Sequence, residues 1–183
     1  MLRRPAETMA ALGLLSGLVS AIWGQSFELE ALQPLAKVFL LAPGTLFIGF
    51  AFAVAAGTGM MLWARVWLAA IVVPLTAMYA WSAAIHTAIR LQRNTGDDVY
   101  LLAAGLGAGA VGAGLTHLGC ALVAPPLRRA GSVAMTCAAG ALAGLLFFAG
   151  ERKLVDERLL FLVWQPAVAF CIGWGLRAPR AGT

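Results

Sequence analysis

The sequence predicts an all-α protein: a polytopic transmembrane helical bundle of about six spans with short loops. Three observations predict it. Of the 183 residues, 61% are hydrophobic and only 11% charged, against the roughly one quarter charged that a soluble domain carries, and the mean hydropathy is +0.86. The charges are also segregated. All thirteen Lys and Arg and all eight Asp and Glu fall outside six charge-free stretches, at 8–27, 38–64, 66–89, 99–127, 130–150 and 159–176. Each stretch approaches or exceeds the roughly 18 to 20 residues that a helix needs to cross about 30 Å of hydrocarbon. In that medium the backbone must satisfy its own N–H and C=O groups, so apolar runs of this length must be helical. Residues 1–183 therefore read as one transmembrane domain, with spans at about 8–25, 44–63, 66–89, 99–123, 130–150 and 159–176.

The first span follows Arg3 and Arg4 and ends near Trp23. Basic residues before an apolar run, with Val19-Ser20-Ala21 behind it, also fit a cleaved signal segment, the alternative to a retained helix. Residues 25–34 carry Glu28 and Glu30 and belong in water. Residues 35–41 are apolar but contain Lys37, and Pro43-Gly44 follow. An interfacial lead-in before the second span is expected there, with one continuous kinked helix as the alternative. The third span contains Pro74, and residues 92–98, with Asn94-Thr95-Gly96, read as an exposed turn. The fourth span stops at Pro125-Pro126, the fifth ends at Gly150, and the charged hairpin 151–158 leads into the sixth, which contains Pro166. Trp23, Trp63, Trp67, Trp174 and Tyr100 stand near span ends, where amphipathic rings prefer the headgroup zone. Trp81 and Trp164 lie deeper and read as packing residues.

Orientation rests on a slight excess of arginine. Cytoplasmic termini put Arg3, Arg4, Arg65, Arg128, Arg129, Arg177 and Arg180 inside, and Lys37, Arg90, Arg93, Arg152, Lys153 and Arg158 outside. The expected location is a membrane, the bacterial inner (plasma) membrane, with both termini cytoplasmic. The net charge of +5 sits at helix ends and suits lipid headgroups. No basic run is long enough to follow a phosphate backbone, so nucleic acid is excluded as a partner.

Small residues recur at four-residue spacing: Gly13, Gly17 and Ala21; Gly49, Ala53 and Gly57; Gly105 and Gly109; Ala110 and Gly114; Gly140 and Gly144. Lipid tails are as apolar as leucine, so helices associate by close backbone contact, which small residues permit. These faces predict a crowded bundle, or a surface for other membrane proteins or a second copy. Gly107, Gly109 and Gly112 have the form of a dinucleotide fingerprint, but no strand precedes them and they lie mid-span.

His117 and Cys120 share a face of the fourth span, and Cys137 and Cys171 come to a similar depth, about 6–10 Å inside the face marked by Arg128 and Arg129. Imidazole and thiolate are soft ligands suited to Cu(I) or Zn. A soft metal ion held by His117, Cys120, Cys137 and Cys171 is one reading; packing of small apolar residues is the other. No further cofactor is expected. His86 and His117 fall near opposite membrane faces, more than about 20 Å apart, so they cannot share a haem iron. His86, beside Arg90, reads as an interfacial histidine.

Catalysis is not expected. No Asp, Glu, Lys or Arg occupies a span centre, and no Ser/His/Asp or Cys/His set has a third partner. The polar groups at depth include Gln165, Ser82, Thr76 and Thr58, which either line a pathway or tie helices together. Pro166 strengthens interest in Gln165, because it leaves the carbonyl of Leu162 without its usual donor. The charges at 151–158, with Arg90, Arg93, Asp97 and Asp98, read as solvated loop ends or as a surface for a partner or ligand. Three functions fit, in order: a non-enzymatic structural or accessory subunit of a membrane complex; a small permease or channel for a neutral or weakly polar solute, lined by Ser, Thr and Gln165; and a metal-handling or redox membrane protein using His117 and the cysteines.

Overall fold

The computed structural model describes residues 4–23, 33–41, 43–92 and 97–177. The loop expected around Glu28 and Glu30 and the turn at 93–96 lie outside the described residues, as do Arg3, Arg93 and Arg180. Seven α-helices and one 3-10 turn, and no strand, occur among the described residues. They are α1 (Pro5–Trp23), α2 (Gln33–Phe39), α3 (Pro43–Met61), α4 (Val66–Gln92), α5 (Asp98–Val123), the 3-10 turn Pro125–Arg128, α6 (Ala130–Glu151) and α7 (Leu159–Gly175). Four of them, α1, α4, α5 and α6, are long and apolar enough to cross a membrane. The apolar parts of α3 and α7, Thr45–Met61 and Leu159–Gly175, are shorter. Four long apolar helices are thus established, while α7, with 17 residues between the polar hairpin and Gly175, is shorter.

Neighbour relations close the long helices into a ring. Its order is α1, α3, α4, α5, α6, α7 and back to α1, with α2 seated across α3 and α4. Many of the residues facing inward are small, with a few large ones such as Phe52 and Trp164 among them, and many large aliphatic residues face out. Leu14, Leu15 and Leu18 on α1, Ile71 and Leu75 on α4, and Leu115, Leu118 and Leu122 on α5 are all exposed in mid-helix. Water would penalise so broad an apolar belt, which far exceeds the patches that soluble monomers carry. Acyl chains solvate it, so the chain is a membrane protein in contact with lipid. Trp23, Trp67 and Trp174 are exposed at helix ends, the depth at which indole rings meet headgroups.

The close ring contacts are made by glycine. Along α1, a β-carbon at Gly13 would come within 2.7 Å of the Gln165 carbonyl oxygen and 2.8 Å of Pro166 Cα. At Gly17 it would lie 2.6 Å from the Phe161 oxygen. Helices α5 and α6 cross in the same way. Gly105 faces the Gly144 carbonyl, Gly109 faces that of Gly140, and each of the four would clash with backbone if it carried a side chain. Gly49 makes room for the Trp81 ring and Gly57 for Pro74. Gly114 sits against Cys137 Sγ. The small-residue faces are therefore occupied inside the chain, which leaves those glycines no room for an outside partner.

Local chemistry explains the element ends. Leu40 adopts φ of 54° and lets the Leu41 N–H reach back to the Ala36 carbonyl at 2.9 Å, a left-handed stop usually filled by glycine. Next, α3 starts on Pro43, where a missing N–H removes no helical bond. So α2 and α3 are separate helices rather than one kinked helix. At the far end of α5, Arg128 Nε donates to the Ala121 carbonyl at 3.0 Å, placing a cation where the helix dipole is negative. Glu7 of α1 meets Arg177 beyond α7 at 3.3 Å, and that guanidinium stacks 4.1 Å above Trp174.

Candidate functional site

A cavity of about 340 Å³ lies inside the ring, among α3, α4, α5, α6 and α7. Thr45 and Ile48 of α3 line it, with Trp81, Ala84, Ile85, Ala88, Ile89 and Gln92 of α4. Opposite stand Gly105, Ala108 and Gly109 of α5, and Gly144, Phe147 and Gly150 of α6. Leu160, Phe161 and Trp164 of α7 complete the wall. Its origin is a mismatch of sizes. Gly105, Gly109 and Gly144 hold α5 and α6 at backbone contact, while the rings of Trp81 and Trp164 prop α4 and α7 apart. Trp81 packs on Trp164 and on Phe161 with centroids 6.3 Å away in each case, and Phe52 meets Trp164 edge-on at 5.3 Å. The Trp81 indole N–H donates to the Thr45 carbonyl at 2.8 Å, which fixes the ring's orientation.

The cavity opens at the end of the bundle where Gln92, Glu151 and Glu157 line it and are exposed. Its other end is closed. Met9, Met60, His117, Leu127 and Ile172 fill that half of the ring, each at most 1% exposed. Among the described residues no Lys, Arg or His lines the cavity. Around its mouth Arg152 pairs with Asp98 and Lys153 with Glu157. The hydrogen bond and charge of Glu157 hold the Lys153 ammonium above its ordinary pKa, so that ammonium stays charged and engaged.

The polar residues singled out in the sequence lie elsewhere. Gln165 is 1% exposed between α1 and α7. Its Oε1 accepts from the Ser16 hydroxyl at 2.6 Å, and its Nε2 donates to Ser20 Oγ at 3.1 Å. It is a clamp between helices and no part of the cavity wall. Ser82 donates to the Phe39 carbonyl at 2.6 Å and so ties α4 to the end of α2. Thr76 donates back to the Val72 and Val73 carbonyls beside Pro74, at 2.8 and 3.1 Å. Thr58 is exposed on the outer face of α3. Arg90 is exposed, while His86 is partly buried and its Nε2 has no partner among the described residues.

Gln165→Leu should therefore weaken the α1–α7 pairing by about 1 kcal/mol, in line with hydrogen bonds between membrane helices. A double-mutant cycle with Ser16→Ala and Ser20→Ala, read by thermal melting in one detergent, is expected to give coupling of that size. Purely additive effects would show that the three groups do not act together.

His117 is fully buried and joins three elements. Its Nε2 lies 2.9 Å from the Leu127 carbonyl and must carry the proton there, while Nδ1 lies 2.8 Å from Thr136 Oγ1. Cys120 is buried on the same helix, Cys137 is partly buried against Gly114, and Cys171 is buried on α7. Among the described residues no three His, Cys, Asp or Glu side chains come together at metal-holding distance. Both ring nitrogens of His117 are already held by protein groups.

Sequence reasoning did not find the cavity. Trp81, Phe147, Phe161 and Trp164 were visible as aromatic residues on helices otherwise rich in alanine and glycine, but one-dimensional spacing does not show which rings face a common space. No protein-family description, curated protein or solved structure matches the chain.

Proposed function

We propose that the chain is a small membrane permease and that the cavity is where its solute loads. One observation carries this reading: five of the six ring helices line one cavity of about 340 Å³, whose exposed lining residues Gln92, Glu151 and Glu157 stand at one end of the bundle. A volume of that size suits a small organic solute. A cavity with its exposed lining at one end and tightly packed side chains toward the other fits a carrier that exposes its site alternately, better than an open pore. The solute path runs past Trp81, Phe161 and Ala108, and not past Gln165. In the same reading α3 and α7 also span. With 19 and 17 residues they reach about 26–28 Å at the usual rise, and each stands in the ring beside full-length helices. Six spans place both termini on one side, and the arginine excess favours the cytoplasmic face of a bacterial inner membrane. The accessory-subunit reading drew on glycine faces that the fold uses internally.

Proteoliposomes carrying the chain are expected to take up slowly permeating small organic solutes faster than empty vesicles. Ala108→Phe, which places a ring inside the cavity, should reduce uptake to the protein-free level while the melting temperature stays near that of the unaltered chain. Equal uptake by the two proteins would sink the proposal.

A further inference from the structure

We infer that the cavity binds a flat organic cation, a solute with an aromatic or apolar body and a single positive charge. The inference deepens the permease reading and rests on it for transport, although binding itself is a separate observable. Three features point the same way. The inner wall presents four aromatic side chains, Trp81, Phe147, Phe161 and Trp164, and ring faces attract cations that have shed water. Two carboxylates, Glu151 and Glu157, line the same cavity, and among the described residues no basic side chain does. Of the basic groups beside them in sequence, Arg152 pairs with Asp98 and Lys153 with Glu157, while Arg158 is exposed. Glu151 makes no close ion pair among the described residues, although its charge acts on the Lys153 ammonium at longer range, so its carboxylate lines the mouth without a direct cation partner.

Size narrows the class. At ordinary packing a non-hydrogen atom takes about 20 Å³, so the cavity holds roughly a dozen to fifteen of them. That is one or two rings and not a lipid. The ligand's body stacks against Trp164 and Phe161 while its charge points toward Glu151 and Glu157. An anion of the same shape would meet the Glu151 carboxylate and an aromatic wall. A neutral body would gain the apolar contact alone.

The test is titration of the full chain in nanodiscs with N-methyl-4-phenylpyridinium and with uncharged 4-phenylpyridine, read by quenching of tryptophan fluorescence. The cation is expected to bind about tenfold more tightly than its neutral counterpart. Glu151→Gln should weaken the cation about three- to tenfold and leave the neutral ligand unchanged. Phe147→Leu should also cost more for the cation than for the neutral ligand, and Ala108→Phe should abolish binding of both. Equal affinity for the two ligands, with Glu151→Gln indifferent, overturns the cation inference and leaves the permease standing. Binding of neither ligand also overturns it, and the vesicle uptake assay then decides the fate of the permease reading separately.

Discussion

Gly109→Leu is expected to destabilise the bundle by about 3 kcal/mol or more, whereas Gly131→Leu leaves it unchanged. A β-carbon on Gly109 would overlap the Gly140 carbonyl oxygen and come 3.1 Å from Gly144 Cα. Both obstacles are backbone, which cannot rotate aside as a flexible side chain does, so α6 must move away. That movement also opens the reciprocal contact of Gly105 with Gly144. Intrinsic helix propensity acts in the opposite direction, since leucine favours a helix over glycine by about 0.8 kcal/mol. Steric overlap is larger and wins. Gly131 is the internal control, because nothing lies within 4 Å of where its β-carbon would be. Melting of the two variants in the same detergent measures the contrast, with a drop of about 6–12 °C expected for Gly109→Leu. An unchanged midpoint would mean that α5 and α6 do not meet at these glycines.

The second large effect belongs to His117. His117→Leu should cost about 2–3 kcal/mol, because it leaves the Leu127 carbonyl buried without its donor. Thr136 loses less. Its hydroxyl can donate instead to the Ser132 carbonyl, 2.9 Å away. His117→Gln retains an N–H at a similar reach and should recover part of the loss. The pair of variants therefore separates hydrogen bonding from volume, with thermal melting as the readout. Were Gln to destabilise as much as Leu, the imidazole would have a task beyond bonding Leu127. Metal analysis of the untagged chain and of His117→Gln addresses that case: loss of bound metal in the variant would restore the ligand reading that the closed hydrogen-bond geometry disfavours.

Much of the fold was legible because membrane solvation acts on composition. A stretch such as 130–150, without a charge, admits few structures in hydrocarbon other than a helix, and α6 runs over it. Proline and charge marked several interruptions in the same way: Pro43 at the start of α3, Pro125-Pro126 at the 3-10 turn, and the hairpin before α7. The small-residue spacing announced close helix contacts. It could not announce the partner. Gly105 and Gly109 read equally well as a face for another protein, and only the tertiary arrangement shows them against Gly140 and Gly144.

The polar residues teach the complementary lesson. Gln165 stood out in the sequence because an amide in hydrocarbon requires a hydrogen-bond partner, and the same requirement draws it to Ser16 and Ser20 and away from the cavity. His117, a candidate ligand, is held by a carbonyl and a hydroxyl for the same reason. In the sequence Glu151 and Glu157 read as solvated loop ends or as part of a surface for a partner or ligand, and in the fold both line the cavity.

By itself, then, the sequence determined the helical class, the lipid-facing surface and the crowded contacts, because each follows from the free energy of local groups in an apolar medium. Ring closure, the cavity among α3 to α7 and its acidic mouth were decided only by tertiary structure. They depend on which faces meet. That is a sum over long-range contacts between helices such as α1 and α7, remote in sequence, and no local pattern along the chain encodes it.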